Sequence, residues 1–292
     1  MALLRRLAAW LVCGALVGAP ADALAQTCGN GPAGFFGWLA GFRKDAEQAG
    51  ISRGTLTEAF LDVRYDGSVI RLDRSQAPFK VEFKEFVAGR ITRQRVATGR
   101  RLLSRHAELL AAIRNQFGVP GHVLVAIWGL ETDFGAVSGD KPVFQSIATL
   151  AYDCRRAERF RGELLSALRL VERGDLRPDE MRGAWAGELG QTQFLASSYE
   201  RFAVDFDQDG RADLLHSTPD VLASTANYLF QHFWQPGGDL GPGTANFDVL
   251  ATWNKSTMYQ RTIALFANEL AEEPSSKPAR RRSHGAPPGT AP

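Results

Sequence analysis

Glu131 is the side chain best placed to do chemistry. It closes a run in which Val123, Leu124, Val125, Ala126, Ile127, Trp128 and Leu130 are apolar. It follows Leu124 by seven residues, Ile127 by four and Trp128 by three, so on a helix over about 121–132 it shares their apolar stripe. Burial there disfavours the ionised form and raises the pKa, the condition a general acid needs near neutral pH. Position alone equally suits a buried carboxylate that serves an arginine or backbone amides. Asp133 is the nearest second carboxyl group, but two residues along a helix it faces elsewhere.

A second cluster of carboxylates runs from Asp205 to Asp213 in the order D-x-D-x-D-G. Asp205, Asp207 and Asp209, with the carbonyl of Arg211, would supply the first oxygen ligands of a calcium loop turning at Gly210. The twelfth place is His216 instead of a bidentate glutamate, and Asp220 would have to stand in. An Asx-rich turn without an ion is the alternative.

The elements that must position these residues read as mainly helical. Apolar spacing predicts helices from Phe35 to Gly50, from Thr55 with Glu58 closing a capping box, and in one long pattern over 80–118. Others are expected at about 155–173, 197–204, 219–233 and 257–271, the third opened by Thr218-Pro219. Arg90, Arg93, Arg95, Arg100, Arg101 and Arg105 form a stripe that suits a solvated face or an anionic polymer. Gly118-Val119-Pro120 ends this helical N-terminal region.

The 292 residues carry a formal net charge of +2 with 45% hydrophobic residues. That suits a globular chain of one large or two modest domains and argues against a general nucleic-acid binder. Residues 1–25 combine Arg5 and Arg6, an apolar run and Ala23-Leu24-Ala25, the form of a cleavable secretory leader. Cleavage after Ala25 would remove Cys13 and leave Cys28 and Cys154 in an oxidising compartment, as a disulfide or as two inert thiols. Residues 272–292 read as a basic, disordered tail.

Several segments share an order with one known family. Glu131-Thr132-Asp133-Phe134-Gly135 resembles the E-T-x-x-G turn of the membrane-bound lytic transglycosylase B family, in a short soluble form. Thr149 to Ala157, with Arg155 and Arg156, resembles that family's segment ending in paired arginines. Gly183-Ala184-Trp185-Ala186-Gly187-Glu188-Leu189-Gly190-Gln191-Thr192-Gln193-Phe194 resembles its glycine-rich loop, and Ala226-Asn227-Tyr228 and Trp253-Asn254 through Tyr259 complete the set.

The resemblance implies a lysozyme-like, goose-type catalytic core over 119–271 and an N-terminal helical subdomain over 26–118, with a short connection at 235–245. It implies a periplasmic monomer that binds peptidoglycan glycan strands and cleaves them without a catalytic cofactor, with no stable membrane insertion. Glu131 would act as acid and then base, giving a 1,6-anhydro sugar. Arg155, Arg156, Gln193, Phe194, Tyr228, Asn254 and Tyr259 would line the groove, although Phe194 and Tyr228 also suit a core and the arginines a surface. A structural calcium in the 205–213 loop is implied too. A muramidase that admits water and a non-catalytic peptidoglycan-binding scaffold are the rival functions. Two departures stand out: Ala184 replaces the family's serine, and Trp253 replaces a tyrosine.

Overall fold

The computed structural model describes residues 28–76 and 81–272. The expected leader at 1–25 and tail residues 273–292 lie outside the described residues. Thirteen helices are described. They are α1 (Phe35–Gln48), α2 (Arg53–Ala59), α3 (Gly67–Arg74), α4 (Phe83–Ala88), α5 (Arg93–Arg105), α6 (Ala107–Phe117), α7 (Gly121–Thr132), α8 (Val143–Tyr152), α9 (Ala157–Glu172), α10 (Ala196–Phe202), α11 (Thr218–Gln231), α12 (Ala245–Trp253) and α13 (Thr257–Ala271). Two short strands, β1 (Lys141–Pro142) and β2 (Arg182–Gly183), pair antiparallel.

The apolar run of α7 makes it the axis of the molecule. Val123, Leu124, Val125, Ala126 and Ile127 have no accessible surface, and the helix packs against α5, α6, α11 and α13. A helix apolar on every side is stable only inside such a cage. Removing the Leu124 side chain beyond Cβ would cost about 2–5 kcal/mol. One hydrophobic cluster runs from Phe35 to Leu270, so the expected boundary at 118 does not divide the core.

The long helical pattern over 80–118 is broken into α4, α5 and α6. Thr92 accepts from the Arg95 N–H and starts α5 anew, and His106 separates α5 from α6. The arginine stripe is correspondingly broken up: Arg95 bonds Asp133, and Arg100 donates to the Glu269 carbonyl. The cap of α2 is Ser52, which accepts from the Thr55 N–H, and that of α11 is Ser217. α3, α8 and α12 were not predicted. They are short, and α8 is buried almost throughout, which removes the periodic signal of a half-buried helix.

The N-terminal segment is tied to the end of α8. Cys28 and Cys154 form a disulfide with a Cα–Cα distance of 4.9 Å. The Gly29 N–H donates to the Tyr152 carbonyl at 2.9 Å, and the Tyr152 hydroxyl donates to the Ala33 carbonyl at 2.5 Å. A Cβ at Gly29 would lie 1.9 Å from that hydroxyl, so glycine is required there. Beside this strap, buried Asp73 of α3 accepts from Arg74, Arg155 and Arg156, while Asp153 accepts a forked pair of bonds from Arg74. Burial pushes the Asp73 pKa up, but the Arg155 hydrogen bond and the charges of Arg156 and Arg155 outweigh it and hold the carboxylate ionised.

The bridge closes a loop with a sequence separation of 126. Chain entropy sets its contribution at up to about 5 kcal/mol. Replacing both cysteines by serine is expected to lower unfolding stability by about 2–5 kcal/mol in urea titrations. Two titratable thiols in the unreduced, unfolded native protein would contradict this pairing.

Candidate active site

The C-terminal turn of α7 delivers Glu131. Asp133, Phe134 and Gly135 all have positive φ, at 54°, 62° and 85°, so the chain reverses sharply after Thr132. The Thr132 hydroxyl donates to the Gln191 carbonyl at 2.5 Å and accepts from the Gly135 N–H at 2.8 Å. Trp128 Nε1 donates to Gln191 Oε1 at 3.0 Å. A Cβ at Gly135 would lie 2.3 Å from that same oxygen. The threonine and glycine of the E-T-x-x-G turn therefore lock α7 onto the loop 183–194.

That loop forms the opposite wall. It is closed by paired hydrogen bonds between Leu189 and Phe194, and a Cβ at Gly183 would sit 1.8 Å from the Glu188 carbonyl. Between loop and helices lies a pocket of about 470 Å³, whose lining includes Glu131, Arg159, Ala184, Glu188, Gln193 and Trp253.

Two aromatic donors meet Glu131. Trp253 Nε1 donates to Glu131 Oε1 at 2.8 Å, and Tyr259 hydrogen-bonds the same carboxyl group. Among the described residues Glu131 forms no ion pair. Burial is therefore the largest influence and raises its pKa to about 7; the two hydrogen bonds pull it down, and the charge of Glu188 pushes it up. Tyr259 is held well above the usual phenol range by burial, by the charge of Glu131 and by their hydrogen bond. It stays protonated at neutral pH and can donate.

Glu188 is the second acid of this pocket, and sequence reading passed over it. Asp133 instead is half-exposed and pairs with Arg95 at 2.9 Å. Burial raises the Glu188 pKa, while its own and the Ala186 N–H groups and the charges of Arg159 and Arg156 lower it. It was visible as the only acid in the quoted loop segment.

The other expected residues divide. Gln193, Phe194, Tyr228 and Asn254 line the pocket. The Gln193 amide nitrogen donates to the carbonyls of Ser138 and Gly190, so its carbonyl oxygen is what it can offer a ligand. Phe194 is buried and packs edge-on against Tyr228 and Trp253, and the Tyr228 hydroxyl donates to the Thr252 carbonyl. Arg155 and Arg156 are drawn to Asp73 instead, because a buried carboxylate needs the nearest guanidinium groups. Arg159 is the arginine that lines the pocket.

Carboxylate oxygens of Asp205, Asp207 and Asp209 lie within 4.8 Å of one another. Asp220 does not join them. It is fully buried beneath the loop, with Oδ1 accepting from the Phe206 N–H at 2.7 Å and Oδ2 from the Asp213 N–H at 2.8 Å. His216 turns its ring to Asp213, and the Arg211 guanidinium also bonds Asp213.

Residues 34–245 match the family described as transglycosylase SLT domain. The membrane-bound lytic murein transglycosylase B of Escherichia coli (strain K12) is 32% identical over 204 residues, covering 66% of this chain; the chain spans 56% of that relative's length. Two Pseudomonas aeruginosa structures have the same fold. SltB3 in complex with NAG-anhNAM-pentapeptide is 31% identical with a TM-score of 0.76, covering 81% of this chain and 79% of that one. The soluble lytic transglycosylase SltB1 is 27% identical with a TM-score of 0.74, covering 80% and 98%.

The Glu131 shift implies a stability effect with a definite sign. Its folded pKa of about 7 lies above the ordinary 4.5, so the protonated form favours folding. That contribution is complete below the unfolded pKa and is lost as pH rises through about 7. Glu131→Gln is therefore expected to unfold at higher urea than the native protein at pH 8, by up to about 3 kcal/mol, and to match it at pH 4. Equal stabilities at both pH values would refute the burial argument.

Proposed function

The chain belongs to the transglycosylase SLT domain family, and from that premise we propose that it is a lytic transglycosylase of peptidoglycan, with Glu131 as acid and then base. The observation that carries this reading is a carboxyl group, buried beside two aromatic donors, whose pKa is about 7. Such a group is protonated often enough to give a proton and basic enough to take one back.

In the reaction, Glu131 protonates the oxygen between N-acetylmuramic acid and N-acetylglucosamine, and the bond to the muramoyl C1 breaks through an oxocarbenium-like state. The same carboxylate then removes the proton from the muramoyl C6 hydroxyl as O6 bonds to C1. The product is a 1,6-anhydro sugar, and water is not consumed. SltB3 was solved with a sugar of this anhydro form, which supports the reading. Gln193, Tyr228 and Asn254 would contact the glycan from the pocket walls, with Phe194 packing behind the aromatic wall. Tyr259 would hold Glu131, Arg159 would face the glycan from the pocket, and Arg155 and Arg156, held by Asp73, would meet it farther along the groove. No catalytic cofactor enters this scheme.

One observation favours a second reading. Glu188 shares the pocket, and two carboxyl groups are what a hydrolysing muramidase uses. A non-catalytic scaffold remains the third. Export to the periplasm, as a monomer, is part of the proposal: the Cys28–Cys154 bridge suits an oxidising compartment. No helix among the described residues is long and apolar enough to cross a membrane.

The reading extends to a structural calcium at Asp205, Asp207 and Asp209, whose gathered oxygens are the hard donors calcium takes. Asp220, engaged by backbone amides, would act from beneath as a brace. Calcium is expected to raise the thermal midpoint of the native protein and not of Asp205→Asn/Asp209→Asn, a gain of about 2.7 kcal/mol at a hundredfold excess over Kd. An unchanged native midpoint at millimolar calcium would end the calcium proposal.

Digestion of purified sacculi separates the three functions. Anhydro-muropeptides by mass, reduced by at least about a hundredfold in Glu131→Gln, are expected. Reducing ends would give the muramidase, and no release by the native protein the scaffold.

A further inference from the structure

The contact between Trp253 and Glu131 has a fixed direction. An indole carries one N–H and no acceptor, whereas a hydroxyl or an amide at the same place could turn and accept. Trp253 Nε1 lies 2.8 Å from Glu131 Oε1. The ring is packed edge-on against Phe194 and Tyr228, with centroids at 5.5 and 5.1 Å, so it is held in its slot. In the lining of the same pocket, position 184 is alanine and carries no hydroxyl.

We propose that Trp253 is a positioning residue that fixes which oxygen of Glu131 carries the proton: Oε1 remains an acceptor in both protonation states, and the proton leaves from and returns to Oε2. A proton on the Oε1 lone pair that faces the indole would set two donors face to face, and a proton on its other lone pair would leave the indole only the weaker hydroxyl oxygen as acceptor. The tyrosine hydroxyl of Tyr259 imposes no such rule, because it can donate to the carboxylate or accept from the acid.

The inference rests on the reading of Glu131 as acid then base, and it sharpens that scheme. Protonation of the leaving oxygen and recovery of the C6 hydroxyl proton both pass through Oε2. The carboxyl group therefore need not rotate between the two steps. Trp253 thereby supplies a fixed donor to the carboxyl group that Ala184 cannot supply.

The ionisable groups around Glu131 are Tyr259 from α13, Glu188 from the loop 183–194, Arg159 from α9 and Lys255 after α12. Arg90 and Arg95 act on it through Tyr259. Tyr259 hydrogen-bonds the carboxyl group with a hydroxyl that can turn, whereas the indole is a donor only, so removing the indole N–H has its own signature.

The test is indole nitrogen NMR on the full mature chain labelled at tryptophan, with the Trp253 signal assigned by its loss in Trp253→Phe. From about pH 5 to about pH 9 the Trp253 N–H is expected to shift with a midpoint at about 7, the ionisation of Glu131. It should stay protected from solvent exchange at both ends, and it should not titrate in this way in Glu131→Gln. In Trp253→Phe the high-pH limb of activity should move upward, because the carboxylate has lost a donor, with a larger fall in kcat than rise in KM. Benzothienylalanine at position 253 keeps the ring shape without the N–H and should reproduce the limb shift if phenylalanine disturbs packing.

A signal that does not titrate, or that titrates unchanged in Glu131→Gln, would overturn the proposal. So would an N–H that exchanges freely at low pH, or an unmoved limb in the benzothienyl variant. The titration does not require turnover. A native protein that makes no anhydro ends yet shows it would sink the transglycosylase reading and leave the proton placement standing.

Discussion

A carboxyl group at the end of a helix whose central turns are buried, with no ion-pair partner among the described residues, is the constraint around which this molecule is arranged. An unpaired buried carboxylate is so unfavourable that such a group ordinarily stays neutral unless donors are brought to it. Here two donors arrive from the chain's last two helices, an indole N–H from the end of α12 and a phenol from the first turn of α13. They stabilise the ionised form without abolishing the effect of burial. The result is an acid poised near neutrality, where an arginine in place of either aromatic would have locked it as a carboxylate.

Keeping that balance demands rigidity, because hydrogen bonds to a carboxyl group are lost over fractions of an ångström. The structure obtains it from contacts that leave little room for movement. Gly129 faces the Phe134 ring so closely that a Cβ would lie 2.6 Å from it, and a Cβ at Gly187 would lie 2.3 Å from the Ile147 side chain. Gln191 is gripped from two sides, its side-chain oxygen by Trp128 and its backbone oxygen by Thr132, while its amide nitrogen reaches the Leu215 carbonyl. One glutamine thus joins the acid-bearing helix, the glycine-rich loop and the segment leading into α11.

These relations explain what could be read from residue order and what could not. Glu131 was legible because a single acid on an apolar stripe is a local anomaly, and the α7 boundaries followed from the same stripe. The wall facing it was legible only through resemblance to known segments, since glycines at close approaches leave no periodic trace. The pairing of Arg155 and Arg156 was not legible because their partner, Asp73, lies some eighty residues earlier and looks like an ordinary surface acid in α3. Glu188 was missed for a related reason: one charged residue in a polar loop shows nothing until the loop folds over the pocket. The single long helix drawn over 80–118 failed where Thr92, a side chain able to cap, restarted the backbone hydrogen bonds.

The two acids of the pocket also bear on each other. Arg159 and Arg156 favour the charged form of Glu188, whereas what opposes burial at Glu131 is the pair of hydrogen bonds from Trp253 and Tyr259. The charge of Glu188 adds to burial in raising the Glu131 pKa. Environments that push two titratable groups apart assign their roles. In this pocket burial first, and the charge of Glu188 after it, favour the proton on Glu131. A single acid that must give a proton and then recover it gains from that arrangement, because a pKa near the working pH leaves neither transfer strongly uphill.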